Sequence, residues 1–546
     1  MGDKGKWEKR VGMLLLALSA GLLGVSAFLC AGRDLWYDEL FTMGLANRPL
    51  GGLISITAQD VHPPLYYMIV KFFLTVFGGL GIEQAAIAKL VSVLPFFLCL
   101  IYALTKVRRS FGMLSAGLFS FLILTMPQLA DYTVEVRMYG WALFFVTAGM
   151  LHAYELVCAK EKSAGILPNA LLAAVSQEKF EAGRREDKKN DWNWCIMTAL
   201  LLAACYTHYF ACVAASLVYL YLLLALWMER RLKKEGKAFF LSCLFCGGGY
   251  LPWLLLVVTR QVGQVKDSYW IQPLSWRSLG GCVKFLFLPF FTHKTLNIIL
   301  AVLLFLCYAA FFVWFVFQGI KKRKEEPEKG RKTLFLIGCV GTLAGLVAFG
   351  FLASFLIRPI FVYRYMLPAL GVFWLGFAVA VSDCFDKKYV VLPVLAFLLG
   401  IGLRNYRSFY GEEMWKKIQM DGAGEIFFRI GEDDIVVCNF DQVQAMAAYY
   451  LSNDSYLWYG QPEPLIREMY PECHGLVEGD FSDEAGIRAL KKLLDEGKPV
   501  WFLGSGNARD EIIEKWENAG IGAEEMESAM VERYWFNLYE IFKKNE

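Results

Sequence analysis

Acids, imidazoles and guanidiniums stand in short clusters beside long apolar runs. Trp36-Tyr37-Asp38-Glu39 follows the first run, and Asp60-Val61-His62-Pro63-Pro64-Leu65-Tyr66-Tyr67 opens a shorter one. Asp131 and Glu135-Val136-Arg137-Met138-Tyr139 precede another, Tyr206-Thr207-His208-Tyr209-Phe210 separates two more, and Arg358 and Arg364 flank a turn before a late one. Each cluster has a plain structural reading. Asp38 could cap a short interfacial helix over Glu39–Ala46, and His62 could be a loop histidine ahead of a Pro-Pro helix start. Arg137 and Arg358 could snorkel to headgroups, and His208 could belong to an aromatic belt. Against that, an outward arginine such as Arg137 is what a lipid-linked phosphate needs, and Arg364, flanked by tyrosines, is harder to assign to anchoring.

The elements that must hold these residues are set by composition. The chain has 546 residues, 57% hydrophobic and 20% charged, with mean hydropathy +0.41. These values describe an integral membrane protein and exclude a cytosolic enzyme or a disordered scaffold. A net charge of +3 conceals a balance of +17 over residues 1–404 and −14 over residues 405–546. The basic residues sit in short clusters between apolar segments, which reads as topology and gives no nucleic-acid partner.

Eleven segments approach spanning length: 11–31, 86–105, 111–127, 139–157, 193–208, 209–228, 238–259, 295–318, 334–357, 361–381 and 389–404. Pro63–Gly79 is shorter, opens with two prolines and carries Lys71 in its middle, so it is expected to lie at the interface. With that assignment, 28 of the 41 basic residues before position 405 fall on one side, which the positive-inside rule makes cytoplasmic. The amino terminus is then cytoplasmic, as a signal anchor, in a multi-pass protein of the cell membrane. Asp38, His62, Arg137, His208, Arg364 and the acidic tail are expected on the outer face. Ionisable groups gathered at one surface favour chemistry there on a substrate held partly in lipid.

The tail alternates strand-like and helical runs: 434–439, 455–459 and 499–503 as strands, 441–451, 483–496 and 510–519 as helices, with a closing strand or hairpin near 530–542. It reads as a small extracytoplasmic α/β domain (405–546) after an all-α polytopic membrane domain (1–404). Segment 164–176 is expected to form a cytoplasmic surface helix. Of fourteen cysteines, twelve lie between Cys30 and Cys384 in or beside apolar runs and read as small hydrophobes, whereas Cys438 and Cys473 could pair. Five histidines, at 62, 152, 208, 293 and 474, show no metal-ligand spacing.

Taken in order along residues 10–404, Trp36-Tyr37-Asp38-Glu39, His62-Pro63-Pro64-Leu65-Tyr66-Tyr67, Glu135-Val136-Arg137-Met138-Tyr139, Thr207-His208-Tyr209-Phe210 and Arg364-Tyr365-Met366-Leu367-Pro368 resemble bacterial glycosyltransferases of the C superfamily (GT-C). The likeness is to the protein O-mannosyltransferase and aminoarabinose transferase group, the glycosyltransferase family 39 type. The resemblance implies transfer of a monosaccharide from a polyprenyl-phosphate donor to an acceptor hydroxyl of an envelope glycan, lipid or protein, on the outer face. It implies Asp38 as general base with Glu39 orienting acceptor or base. Arg137 and Arg364 would stabilise the leaving phosphate, with Tyr139 and His208 as lesser donors and His62 positioning sugar or acceptor. No cofactor is assigned; a Mg²⁺ or Mn²⁺ held by Asp38, Glu39 and substrate oxygens stays open. A lipid-linked saccharide flippase and a non-enzymatic membrane receptor are the other readings.

Overall fold

The computed structural model describes residues 3–60, 62–159, 190–264, 271–384, 388–451, 456–458, 464–470, 482–531 and 534–544. Segment 164–176 and Cys473 lie outside these residues.

The chain enters as α1 (Asp3–Leu29) and then makes three short helices, α2 (Tyr37–Asn47), α3 (Leu50–Gln59) and α4 (Leu65–Phe77). At 1.5 Å per residue, the 13 residues of α4 reach about 20 Å, less than the roughly 30 Å of a hydrocarbon core. Arg33, just after α1, pairs at 2.5 Å with Glu83, just before α5 (Gln84–Tyr102). Residues 33–83 therefore leave and rejoin the bundle at the same end, as expected of an interfacial segment. Lys71 avoids the apolar interior by donating to the Ala46 carbonyl at 3.2 Å.

The bundle continues through α6 (Met113–Thr125), α7 (Tyr139–Cys158), α8 (190–205), α9 (Tyr209–Met228) and α10 (Leu232–Trp253). There follow α11 (Trp276–Phe287), α12 (Lys294–Lys322), α13 (Pro327–Leu356), α14 (Leu367–Asp383) and α15 (Lys388–Arg429). Among the described residues, eight helices are long and apolar enough to span. The other three expected spans correspond to α6, α8 and the first turns of α15. The short α6 is buried from Leu114 to Thr125, and protein neighbours, in place of lipid, cover the irregular backbone after it. It meets α1 where Gly117 and Gly12 touch: a Cβ on Gly117 would lie 2.1 Å from the Gly12 carbonyl oxygen. Small residues permit this close approach in a membrane bundle.

The basic clusters meet at the opposite end from Arg33 and Glu83. Lys106 Nζ is 2.7 Å from Glu155, Arg323 pairs with Glu229 at 3.3 Å, and Lys332 with Asp383 at 3.0 Å. One end of the bundle thus carries the basic loops and the other carries Asp38.

The 42-residue α15 runs through position 404 without a break and delivers the chain to a five-stranded sheet. The strands are β1 (Ile435–Cys438), β2 (Tyr456–Trp458), β3 (Val500–Gly504), β4 (Ile521–Val531) and β5 (Tyr534–Lys543), in the order β2-β1-β3-β5-β4. The first three are parallel, with α16 (Asp441–Tyr450) between β1 and β2, and β5 joins antiparallel to both β3 and β4. The expected closing hairpin is present but opens earlier, at Ile521. This small domain sits on the first loop: the Tyr450 hydroxyl donates to the Arg33 carbonyl at 2.7 Å and accepts from the Leu35 N–H at 3.1 Å. The Tyr470 hydroxyl donates to the Leu40 carbonyl at 2.7 Å, inside α2.

Candidate active site

Asp38 lies in the first turn of α2, with Trp36 as the capping position. The cap is completed by Glu39, whose Oε2 accepts from the Trp36 N–H at 3.0 Å, so the Asp38 side chain is released from that duty. It faces two cations. Asp38 Oδ2 stands 3.3 Å from Nη1 of Arg364 and 3.6 Å from Nη2 of Arg137. Arg137 also donates from Nη1 to the Asp38 carbonyl at 3.0 Å, which fixes the guanidinium against α2. The Arg364 guanidinium lies 6.0 Å from the ring centres of both Trp36 and Tyr139, a cation–π arrangement that leaves it directed into the site.

Glu39 is held at both of its oxygens. Its Oε1 accepts from the Val136 N–H at 2.6 Å while Oε2 holds Trp36. With both oxygens committed, it is a positioning residue that ties α2 to the loop carrying Arg137, and Thr42 adds a bond to the Val136 carbonyl at 3.1 Å. Among the described residues no group of three His, Cys, Asp or Glu could hold a metal ion.

The imidazoles form a second wall. The His62 and His208 ring centres are 5.9 Å apart, and His208 packs 5.4 Å from Tyr139 and 4.9 Å from Tyr365. The site residues expected from sequence, Glu39 excepted, therefore line one region from Asp38 through Arg137, Arg364, Tyr139 and His208 to His62. Two carboxyls of the second loop border it. Burial pushes Glu135 up to about 7 against the opposing pull of Arg137 and Arg364, and burial aided by Glu412 and Glu413 does the same for Asp131.

Sequence reading missed a supporting pair, Lys89 and Asp34, which meet at 2.7 Å with both side chains buried. Its signal was a lone lysine inside an apolar span. A separate apolar cavity of about 530 Å³ lies between α11, α12, α14 and α15, lined by Phe287, Leu304, Tyr308, Trp374, Phe377 and Leu398. None of the charged groups of the site borders it.

No protein-family model matches the sequence, and no curated protein matches it. Solved structures do. ArnT from Cupriavidus metallidurans in the apo state superposes with a TM-score of 0.53 at 13% identity, over 97% of each chain. The same protein bound to undecaprenyl phosphate gives 0.52 at 14%, again over 97% of each. This chain has the fold of ArnT. The Archaeoglobus fulgidus oligosaccharyltransferase is more distant, at 0.42 and 11% identity over 89% of this chain and 68% of its own.

Proposed function

We propose that this chain moves a monosaccharide from a polyprenyl-phosphate donor to an acceptor hydroxyl at the outer surface of the cell membrane. The observation that carries the reading is the Asp38 carboxylate set between Arg137 and Arg364 at one end of a GT-C bundle. Its fold neighbour ArnT has been solved with undecaprenyl phosphate bound, which supports a lipid phosphate as the donor's leaving group.

In the proposed reaction the acceptor oxygen attacks the anomeric carbon and the bond from that carbon to the phosphate oxygen breaks. The acceptor proton passes to Asp38, and polyprenyl phosphate leaves. An acceptor hydroxyl is a poor nucleophile, so a carboxylate in reach contributes about 10²–10⁴-fold. The phosphate leaves as an anion and needs cations, which Arg137 and Arg364 supply. The tail of the donor needs an apolar wall, of the kind offered by α4 and by the cavity beside α14.

A flippase would place ionisable groups near the bilayer midplane. Here the cationic and acidic groups gather at the bundle ends, which supports the transferase reading. The test is purified protein with undecaprenyl-phosphate sugars, read by mass spectrometry of product, beside envelope glycans from cells with and without it. Asp38→Asn should cut transfer by about 100-fold or more while the protein still folds and inserts. Full transfer by that variant would sink the base assignment.

A further inference from the structure

Two histidines of the site have had their ring nitrogens sorted by their neighbours, in opposite senses. Nδ1 of His62 lies 3.0 Å from Oδ2 of Asp60, and a carboxylate accepts, so Nδ1 carries a hydrogen; this is the Nδ1–H tautomer, in which Nε2 keeps its lone pair. Nδ1 of His208 accepts from the Phe210 N–H at 3.1 Å, so there Nε2 carries the hydrogen. Both rings are nearly enclosed, with His62 9% and His208 3% exposed. Among the described residues neither Nε2 has a hydrogen-bond partner. One acceptor and one donor are left on rings whose centres are 5.9 Å apart, close enough for one small group to reach both.

The scaffold behind His62 is built to keep it so. His62 precedes Pro63, which restricts its backbone to extended conformations. The buried Gln261, on the helical continuation of α10, donates from Nε2 to the carbonyls of Thr57 and Ala58, each at 3.2 Å, and to that of Asp60. Its Oε1 accepts from the Tyr209 hydroxyl at 2.5 Å, beside His208. A second tie runs from the Leu65 N–H to the Tyr206 carbonyl at 3.1 Å. Gln261 and Tyr209 therefore bind the two histidine turns to each other.

We infer that His62 and His208 form a hydroxyl-binding subsite, with Asp60 and Gln261 as its positioning residues. The ligand class follows from the pairing. A group that donates to one nitrogen and accepts from the other at a single atom is a hydroxyl, of an alcohol or of the water it displaces, whereas an ionised phosphate oxygen only accepts and an ammonium only donates. This moves His208 from the phosphate side of the site to the hydroxyl side. It rests on the transferase reading only for which alcohol is held, that of the acceptor or one on the donor sugar. A pocket built to bond a hydroxyl rejects analogues that lack it, so the subsite would also serve specificity.

The test is long-range nitrogen–proton NMR of the full chain in nanodiscs, labelled with ¹⁵N-histidine. The chain has five histidines, and single His→Gln variants assign the signals. His62 is expected as the Nδ1–H tautomer and His208 as the Nε2–H tautomer. Glycerol should shift both Nε2 signals if the acceptor hydroxyl binds there, and an undecaprenyl-phosphate hexose should shift them if a sugar hydroxyl does. Undecaprenyl phosphate alone should leave them in place. Asp60→Ala should abolish the tautomer preference of His62 while sparing that of His208. Identical tautomers in the two rings, no response to either hydroxyl probe, or a response to undecaprenyl phosphate alone would overturn the subsite. The tautomers are read without any transfer reaction, so failure of the subsite and failure of the transferase reading give separate results.

Discussion

Asp38 has two relationships with the same arginines. In the ligand-free chain its carboxylate is the anion that Arg137 and Arg364 face, at 3.6 and 3.3 Å. A lipid phosphate must compete with it. Asp38→Asn is therefore expected to bind undecaprenyl phosphate three- to tenfold more tightly, about 0.7–1.4 kcal/mol, even as it loses transfer. Titration of purified variant and parent with the lipid checks this; weaker binding by the variant would mean that Asp38 holds the arginines in place for the phosphate. Glu39 predicts the opposite pattern. Glu39→Gln puts an amide donor where a second acceptor is needed, so one buried backbone N–H loses its partner at a cost of about 1–3 kcal/mol. Melting temperature and lipid affinity should both fall. The sequence offered both acids as candidates for chemistry, but which one faces the arginines depends on the cap geometry of α2 and on a loop almost a hundred residues away.

At the scale of elements, the second loop carries a pH signature. Asp131 and Glu135 keep their protons to about pH 7 in the folded chain, against ordinary values of 3.8 and 4.5. Between roughly pH 4 and 7 the folded state then binds more protons than the unfolded one, and stability falls as pH rises through that window. The melting temperature in detergent should be higher at pH 5.5 than at pH 7.5. The double variant Asp131→Asn with Glu135→Gln should flatten that slope and raise the value at pH 7.5. The α1–α2 connection depends instead on Lys89 and Asp34. Lys89→Met alone strands a buried carboxylate, which costs about 3–5 kcal/mol, whereas adding Asp34→Leu should recover most of it in denaturation measurements. The shortness of α4 was legible from Pro63 and Pro64, which open the helix, and from Lys71 in its middle. The ends of α6 are likewise local: Gly112 precedes it at φ +97°, and Pro127 puts Met126 into extended backbone.

For the whole molecule, the small α/β domain is a clamp on the site's first loop. Tyr450 and Tyr470 each hold main-chain atoms in the stretch that carries Asp38. Tyr450→Phe with Tyr470→Phe should lower transfer more than it lowers the melting temperature, because the bonds lost are those aiming α2. Cysteine labelling at Lys234 and Asp483 should report opposite sides of the membrane; a shared side would refute the orientation proposed for the bundle.

Membrane class, the charge split at position 404, the α/β tail and the succession of polar clusters were determined by sequence alone, because hydropathy and charge act locally and can be summed along the chain. Similar apolar segments nevertheless ended in different surroundings. The most apolar stretch of Tyr363–Asp383 is wholly buried, whereas only 11% of that of Lys294–Lys322 is buried. Hydropathy cannot separate these cases, since lipid and protein interior are equally apolar. Tertiary structure also decided the chemistry of individual groups. The position of Asp38 between two arginines, the hold of the Val136 N–H on Glu39, and the meeting of the His62 and His208 rings arise from contacts between distant segments. Residue type names what a side chain can do; its neighbours in space select which of those things it does.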